Sequence, residues 1–234
     1  MTGADQGVIS VLFDLDGTLI DSVPDVRAAI NRALEDDGRR ALSLDEVKGL
    51  VGEGAQVLIE RALALTGTPG TKERVEDYLQ RFVSAYAEHP AERTVIYPGV
   101  LETLETLASE GIRLGICTNK PQVTTRLVLK ALNLDRYFRV VSCGDSVPHR
   151  KPDGRHVTLA LEGMGAAPDA AAFVGDSETD MAAARDAGIS AIAVTYGYCR
   201  VPPSRLDADA LIDDIRDLPQ TLHAIFLHRE SSAP

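Results

Sequence analysis

The sequence lacks long apolar runs and an excess of positive charge. None of its uninterrupted apolar segments approaches the ~18 residues that a membrane span needs. Its 24 lysines and arginines are outnumbered by 35 aspartates and glutamates, which gives a formal charge of −11. Because affinity for nucleic acids depends on clustered Lys and Arg, we expect neither a nucleic acid nor a membrane as partner. A small phosphorylated substrate is compatible, since a metal ion and one or two cations can create a local positive pocket.

Paired cysteine and histidine ligands are absent as well. Cys117, Cys143 and Cys199 lie far apart without a Cys-x-x-Cys spacing, so we expect free thiols and not a disulfide or a metal site. The five histidines form no i, i+4 pair beside an acid, which gives a zinc site little support. The first residues show no basic region ahead of an apolar one, so we expect no secretory signal and a cytoplasmic location.

The remaining pattern is that of an α/β protein with a helical insert. Strand-like apolar runs alternate with helical patterns in residues 1–20 and 94–234, which predicts a Rossmann-like core, a doubly wound parallel sheet. Residues 21–93 show helical periodicity alone and are predicted to form a separate all-helical cap. The predicted strands are residues 8–13, 111–117, 139–143, 171–175 and 190–195. The predicted helices are 26–35, one that opens at Ser43, 57–63, 72–88, 101–110, 121–132, 155–163 and one that ends at Gly188.

Two carboxylates, Asp14 and Asp16, follow the first predicted strand. Side chains at i and i+2 of an extended chain leave on the same side, so we expect these two to converge just beyond the sheet. Such a pair is stable when a cation sits between the carboxylates or when one of them holds a proton. The alternative is an ordinary Asp-Gly turn of a hairpin, which the helical pattern after Leu19 disfavours.

Other polar clusters also come at the ends of predicted strands: Thr118-Asn119, Lys151, and Asp176 with Asp180. Ligands of open α/β sheets bind at the carboxyl ends of strands. Each cluster alone has a structural alternative, such as an N-cap of the following helix. Their joint placement favours a single site that handles phosphate.

The chemistry of these residues suits phosphoryl transfer. Three acids could supply the hard oxygen ligands that Mg²⁺ prefers: Asp14, Asp16 and Asp176. Lys151, Thr118 and Asn119 could supply charge and hydrogen-bond donors to the phosphoryl oxygens. Asp14 could then attack and form an aspartyl-phosphate, while Asp16 protonates the leaving oxygen and later activates water.

Four separated motifs, in order along the chain, resemble those of the haloacid dehalogenase superfamily phosphatases. They are Asp14-x-Asp16-Gly-Thr, Thr118-Asn119, Lys151-Pro152 and Gly175-Asp176-Ser177-x-x-Asp180. The resemblance implies a doubly wound core with the first strand central, a helical cap inserted after the first motif, and Mg²⁺-dependent phosphoryl transfer.

The resemblance also implies a role for each residue. Asp14 becomes the nucleophile and a metal ligand, Asp16 the acid/base that ligates the metal through its backbone carbonyl, and Asp176 a further metal ligand. Ser177 and Asp180 become supporting residues, with Asp180 orienting either Lys151 or a metal-bound water. The expected phosphate binders are Gly17, Thr18, Thr118, Asn119 and Lys151.

Within that superfamily, the segment from Val51 to Leu63 is similar to phosphoglycolate phosphatases, as are residues 175–180 and 196–198. Gly52, Glu53 and Gly54 are then the cap residues expected to select the substrate. The two glycines would let the cap backbone approach a small substrate closely; the alternative is a simple helix-breaking loop. His149-Arg150 could add charge toward a carboxylate, or could be solvated loop residues.

We therefore expect a Mg²⁺-dependent phosphomonoesterase that acts on a small phosphorylated acid, with 2-phosphoglycolate as the leading candidate, in a monomer or homodimer. A sugar-phosphate phosphatase or phosphomutase would use the same core. A non-catalytic phosphate-binding or receiver-like signalling domain is the alternative from another class. A receiver would be about half this length and would lack the insert.

Overall fold

A six-stranded parallel sheet forms the centre of the computed structural model, which describes residues 8–230, with side chains to 227. The strand order is β5-β4-β1-β6-β7-β8, and β2 pairs separately with β3. The strands are β1 Ser10–Phe13, β2 Ile20–Asp21, β3 Val95–Ile96, β4 Arg113–Thr118, β5 Val140–Cys143, β6 Ala171–Gly175, β7 Ser190–Val194 and β8 Ala210–Ile212. The doubly wound sheet with a central first strand is confirmed.

The described part of the chain contains nine α-helices. They are α1 Val23–Glu35, α2 Leu44–Lys48, α3 Ala55–Thr66, α4 Lys72–Glu88, α5 Val100–Ser109, α6 Gln122–Ala131, α7 Gly154–Met164, α8 Glu178–Asp186 and α9 Leu218–Glu230. Successive β1 residues point to opposite faces, so Phe13 packs into one apolar cluster and Leu12 into another. Strands covered on both faces are apolar throughout, which is why β1 does not alternate.

The helices α1 to α4 form the insert between β2 and β3. They pack around an apolar cluster of their own, whose buried members include Ile30, Val47, Ile59 and Tyr78. The two chain crossings between core and insert lie side by side, because Ile20 of β2 pairs with Ile96 of β3. The Asp25 carboxylate adds hydrogen bonds from the backbone N–H groups of Arg93 and Thr94.

Most predicted elements correspond to observed ones, and the differences have physical reasons. The helix predicted over 72–88 is α4, and β1 begins at Ser10, two residues later than predicted. β2, β3 and β8 were not predicted, because two or three residues are too few to show a strand pattern. The domain boundaries at residues 20 and 93 stay a prediction, and residues 1–7 and 231–234 of the predicted core lie outside the described residues.

No helix within residues 8–230 is both long and apolar enough to cross a membrane.

Candidate active site

The predicted polar residues meet at one edge of the sheet because three neighbouring parallel strands end there. Phe13 of β1 is paired with Ile116 of β4 and with Val174 of β6. The Asp14 N–H continues this pairing, since it donates to the Val174 carbonyl at 2.9 Å. The residues that follow each strand therefore share the carboxyl edge, where open α/β sheets bind ligands.

Three buried aspartates form a cluster at this edge. Carboxylate oxygens of Asp14, Asp176 and Asp180 all lie within 4.8 Å of one another. The Lys151 Nζ lies between two of them, 2.9 Å from Asp14 Oδ1 and 2.6 Å from Asp180 Oδ1. One lysine cannot balance three carboxylates, so the cluster favours an additional cation.

The pKa values in the cluster reflect this uncompensated negative charge. Burial raises the pKa of Asp14 to about 6, although Lys151 opposes the shift. Burial, together with the charges of Asp180 and Asp14, raises the pKa of Asp176 well above its usual value. Burial alone would lower the pKa of Lys151, but Asp14 and Asp180 outweigh it and the net pKa is raised. Hard oxygen donors that carry excess negative charge fit a divalent cation such as Mg²⁺.

Asp176 is held by residues from both ends of the chain. Its Oδ1 accepts a hydrogen bond from the Thr18 hydroxyl at 3.1 Å, and its Oδ2 accepts one from the Tyr198 N–H at 2.6 Å. Gly17 has a φ of +93°, and a Cβ there would lie 2.5 Å from Asp176 Oδ2. Gly17 and Thr18 thus contact Asp176 in this structure, and their expected contact with phosphate stays a prediction.

Asp180 contacts Lys151 directly, which is one of the two roles considered from the sequence. Its other oxygen, Oδ2, accepts hydrogen bonds from the Ser177 hydroxyl at 2.6 Å and from the N–H groups of Asp176 and Ser177. Ser177 in turn caps the N-terminus of α8. Both residues therefore fix the positions of Asp176 and Lys151.

Asn119 connects three segments of the site. Its amide group donates to the carbonyls of Gly52 at 3.1 Å and Lys151 at 3.0 Å, and its Oδ1 accepts from the Lys151 N–H. Both amide N–H donors are used in these contacts. The expected phosphate contact of Asn119 stays a prediction and would fall to backbone N–H groups nearby. Thr118 is buried and lines the cavity beside Asp14.

The Asp16 carboxylate lies apart from the acidic cluster. Both of its oxygens are 3.1 Å from Lys120 Nζ, and it accepts a further hydrogen bond from the Ser22 hydroxyl. A metal contact of Asp16 therefore depends on its backbone carbonyl, as the resemblance implies. Lys120 and Ser22 were not among the predicted site residues.

A cavity of about 40 Å³ lies between the core and the insert. The core contributes Asp14 and Asp16, and the insert contributes Gly52 and Gly54 together with apolar side chains such as Phe82. An ideal Cβ at Gly54 would lie only 3.1 Å from the Asn119 carbonyl oxygen, so the glycine permits this close approach of insert to core.

Glu53 is held by two arginines. Arg61 contacts both of its oxygens, at 2.8 and 2.9 Å, and Arg200 of the core contacts Oε1 at 2.6 Å. Hydrogen bonds from Arg61 are the main cause of its lowered pKa. Glu53 thus ties the insert to the core, and its expected role in substrate selection stays a prediction. His149, 3.6 Å from Asp153, and Arg150, beside Gly54, do not line the cavity.

A family model described as haloacid dehalogenase-like hydrolase matches residues 11–194. The chain belongs to this family. The resemblance inferred from the four motifs is confirmed.

Two curated relatives of this hydrolase are named phosphoglycolate phosphatase. The chain is 39% identical over 223 residues to the protein of Agrobacterium fabrum, across 95% of each chain. It is 41% identical over 214 residues to that of Rhodospirillum rubrum, across 89% of this chain and 88% of the relative. These relatives and the family show that the chain is an enzyme, a phosphatase.

Solved structures have the same fold. The crystal structure of a predicted phosphoglycolate phosphatase from Haemophilus somnus matches with a TM-score of 0.86 at 32% identity, over 94% of this chain and 99% of that one. CbbY from Rhodobacter sphaeroides in complex with phosphate matches with a TM-score of 0.79 at 25% identity, over 90% and 96%.

Besides Ser22, sequence reasoning missed three residues of the hydrolase site, and these three differ in how clearly the sequence signalled them. Lys120 directly follows Thr118-Asn119, so the rule that places polar site residues after strands could have found it. Tyr198 lies in a noted motif, but its contacts with Asp176 and Ser22 join residues more than 20 positions apart. Arg200 carried no local signal.

Proposed function

We propose that this phosphatase hydrolyses 2-phosphoglycolate to glycolate and phosphate, with Mg²⁺ held by Asp14 and Asp176. The buried acidic cluster with Lys151, whose member Asp14 lines a small cavity between core and insert, carries the proposal, because it combines a nucleophile, a cation site and limited room. The names of the curated relatives support this substrate. The cytoplasmic location and the monomer or homodimer expected from the sequence stay predictions.

The proposed metal site uses the Asp14 and Asp176 carboxylates and the backbone carbonyl of Asp16. When bound, Mg²⁺ supplies positive charge that offsets the carboxylates and the oxygens of the phosphoryl group. Asp180 keeps its contact with Lys151, and Lys151 provides a fixed positive charge beside Asp14.

In the first proposed step, an Asp14 oxygen attacks phosphorus while the bond between phosphorus and the glycolate oxygen breaks. Asp16 donates a proton to that leaving oxygen, which gives glycolate and an aspartyl-phosphate on Asp14. Asp16 next accepts a proton from a water molecule while the oxygen of that water attacks phosphorus. The bond to Asp14 breaks, and phosphate and the free carboxylate result.

The insert is proposed to exclude bulk water during these steps. Gly52 and Gly54 lie against the core, and Phe82 adds an apolar wall to the cavity. A water-excluding site strengthens the electrostatic interactions that stabilise phosphoryl transfer.

Phosphate release from a panel of esters tests the proposal. The panel contains 2-phosphoglycolate, ethyl phosphate, a hexose phosphate and a nucleotide, each with Mg²⁺ and with EDTA. We expect turnover that needs Mg²⁺ and is fastest with 2-phosphoglycolate. Faster turnover of the hexose phosphate than of 2-phosphoglycolate would overturn the proposed substrate. Equal turnover with EDTA and with Mg²⁺ would overturn the metal-dependent mechanism.

A further inference from the structure

Lys120 is a buried cation that has no role in the proposed mechanism. It lies in the loop between β4 and α6, and only 8% of it is exposed. Its Nζ donates to both carboxylate oxygens of Asp16, each at 3.1 Å. An ammonium group has three N–H donors, so this pairing leaves one of them for a ligand.

The insert packs against the other side of this lysine. The ring centroid of Tyr86 on α4 lies 4.7 Å from Lys120 Nζ, and Tyr86 is itself buried. An aromatic face attracts a desolvated ammonium group but does not take up its N–H donors as a carboxylate does. The Tyr86 hydroxyl forms no hydrogen bond of standard geometry among the described residues, although it lies near the Lys120 ammonium group. The contacts with Asp16 and Tyr86 thus fix the position of Lys120 and leave one of its three N–H donors for a ligand.

The charges along the cavity make Lys120 distinctive. Of the described residues that line it, Lys120 is the one with a positive charge, and Asp14 and Asp16 are the charged residues beside it. The insert contributes backbone and apolar walls, including Val51, Leu58 and Phe82. Arg200 lines the adjoining space that also contains Asp14 and Asp16, but its guanidinium contacts Glu53 and the Val51 carbonyl. Within the cavity itself, Lys120 is therefore the cationic partner for a second anionic group on a bound phosphoester.

The chemistry of a phosphorylated acid matches this arrangement. In 2-phosphoglycolate, one methylene carbon joins the leaving oxygen to the carboxylate. The group that protonates the leaving oxygen and the group that binds the carboxylate must therefore be close neighbours. Asp16 and Lys120 are such neighbours.

We propose that Lys120 binds the substrate carboxylate and so makes the enzyme selective for phosphorylated acids over neutral phosphoesters. This inference rests on the proposed function, in which Asp16 faces the leaving oxygen. The inference assigns substrate selectivity to a residue of the core. The sequence analysis had assigned this selectivity to Gly52, Glu53 and Gly54 of the insert.

The test compares 2-phosphoglycolate with ethyl phosphate, which has the same leaving-group position but no carboxylate. In Lys120→Met, we expect kcat/KM for 2-phosphoglycolate to fall by about 10- to 150-fold, mostly through KM, as for the loss of a hydrogen bond to a charged group. Because Lys120 also pairs with the Asp16 carboxylate, kcat/KM for ethyl phosphate should fall as well, but by a smaller factor, so that the ratio of the two kcat/KM values decreases by at least about threefold. Lys120→Arg should restore part of the preference.

Lys130→Met is the matched control, because Lys130 lies exposed on α6 and should leave both substrates unaffected. If Lys120→Met does not fold, Lys120→Gln gives the same comparison without the charge. Equal losses on both esters would show that Lys120 acts through Asp16, and no loss on either would show that it is dispensable; both overturn the inference. Absence of Mg²⁺-dependent turnover in the wild-type enzyme would instead overturn the proposed function.

Discussion

Asp14 illustrates at the scale of one residue how function opposes stability. It is buried with Asp176 and Asp180 and has one lysine for compensation, so its ionised form is costly. The same crowding of charge prepares the site for a divalent cation and a phosphoryl group. A buried carboxylate cluster of this kind is retained for its chemistry, since an apolar cluster would be more stable.

Asp14→Asn tests this trade-off. We expect multiple turnover of 2-phosphoglycolate to fall by about 10⁴-fold or more, because an amide oxygen is a poor nucleophile. The melting temperature should be unchanged or higher, because one of the crowded negative charges is gone. Activity assays and thermal denaturation measure both effects, with exposed Glu76→Gln as control. Near-normal turnover would remove Asp14 as the nucleophile.

At the scale of elements, the loop between α2 and α3 is tied to the core by few contacts. Arg200 contacts Glu53 at 2.6 Å and the Val51 carbonyl at 3.1 Å, and Asn119 contacts the Gly52 carbonyl. The charged pair is partly exposed, with 38% of the Arg200 side chain accessible. Such pairs contribute little free energy and are weakened by salt.

Arg200→Gln should therefore raise KM for 2-phosphoglycolate, by up to about fivefold, with little change in kcat. The wild-type KM should rise with salt concentration, and the variant should show a weaker dependence. Arg32→Gln breaks an exposed pair with Glu88 that lies within the insert and serves as control. A variant with unchanged KM and unchanged salt dependence would mean that this contact does not hold the loop.

His156 of α7 contacts Ser142 of β5, and its burial leads us to expect that the free energy of unfolding depends on pH. Its side chain is fully buried, its Nε2 is 3.1 Å from the Ser142 hydroxyl, and its Nδ1 has no partner among the described residues. Burial, aided by the positive charge of Lys151, lowers its pKa from 6.5 to about 4. Between these values the unfolded chain binds a proton that the folded protein does not.

The free energy of unfolding should therefore fall as the pH drops from 6.5 toward 4, by about 3 kcal/mol at most from this residue. Denaturant titrations at several pH values measure the slope. His156→Gln should be less stable at neutral pH but should lose this part of the slope. An identical slope in the variant would assign the pH dependence to the carboxylates alone.

At the scale of the whole molecule, cation binding should be linked to folding. The cluster joins Asp14 after β1 with Asp176 after β6, and Tyr198 ties it to the insert crossing. These residues come together only in the folded chain. A ligand that binds only the folded state stabilises it.

Saturating Mg²⁺ should raise the melting temperature by about 5–10 °C over EDTA, if its concentration is about 100 times the dissociation constant. Asp176→Asn should reduce this increase sharply, since it removes a proposed ligand. Potassium chloride at matched ionic strength separates specific binding from screening. Equal melting temperatures in Mg²⁺ and EDTA would contradict a cation site in this cluster.

The sequence by itself determined the sheet class, the helical insert and the residues at the strand ends. Apolar runs, helical periodicity and polar residues after strands are local signals, and the four motifs depend on spacing alone. The sequence also contained β8 and α9, but their signals were weak: β8 has three residues, and among the side chains described for α9, up to residue 227, Leu218 and Leu222 are the buried ones.

Only the tertiary structure decided which of these residues touch. It placed the Asp16 carboxylate with Lys120 and Ser22 instead of in the acidic cluster, and it engaged Glu53 with Arg200. Such contacts join residues that are up to 147 positions apart. Their partners follow from strand order and from how the insert packs on the core, and no local pattern of residues encodes either.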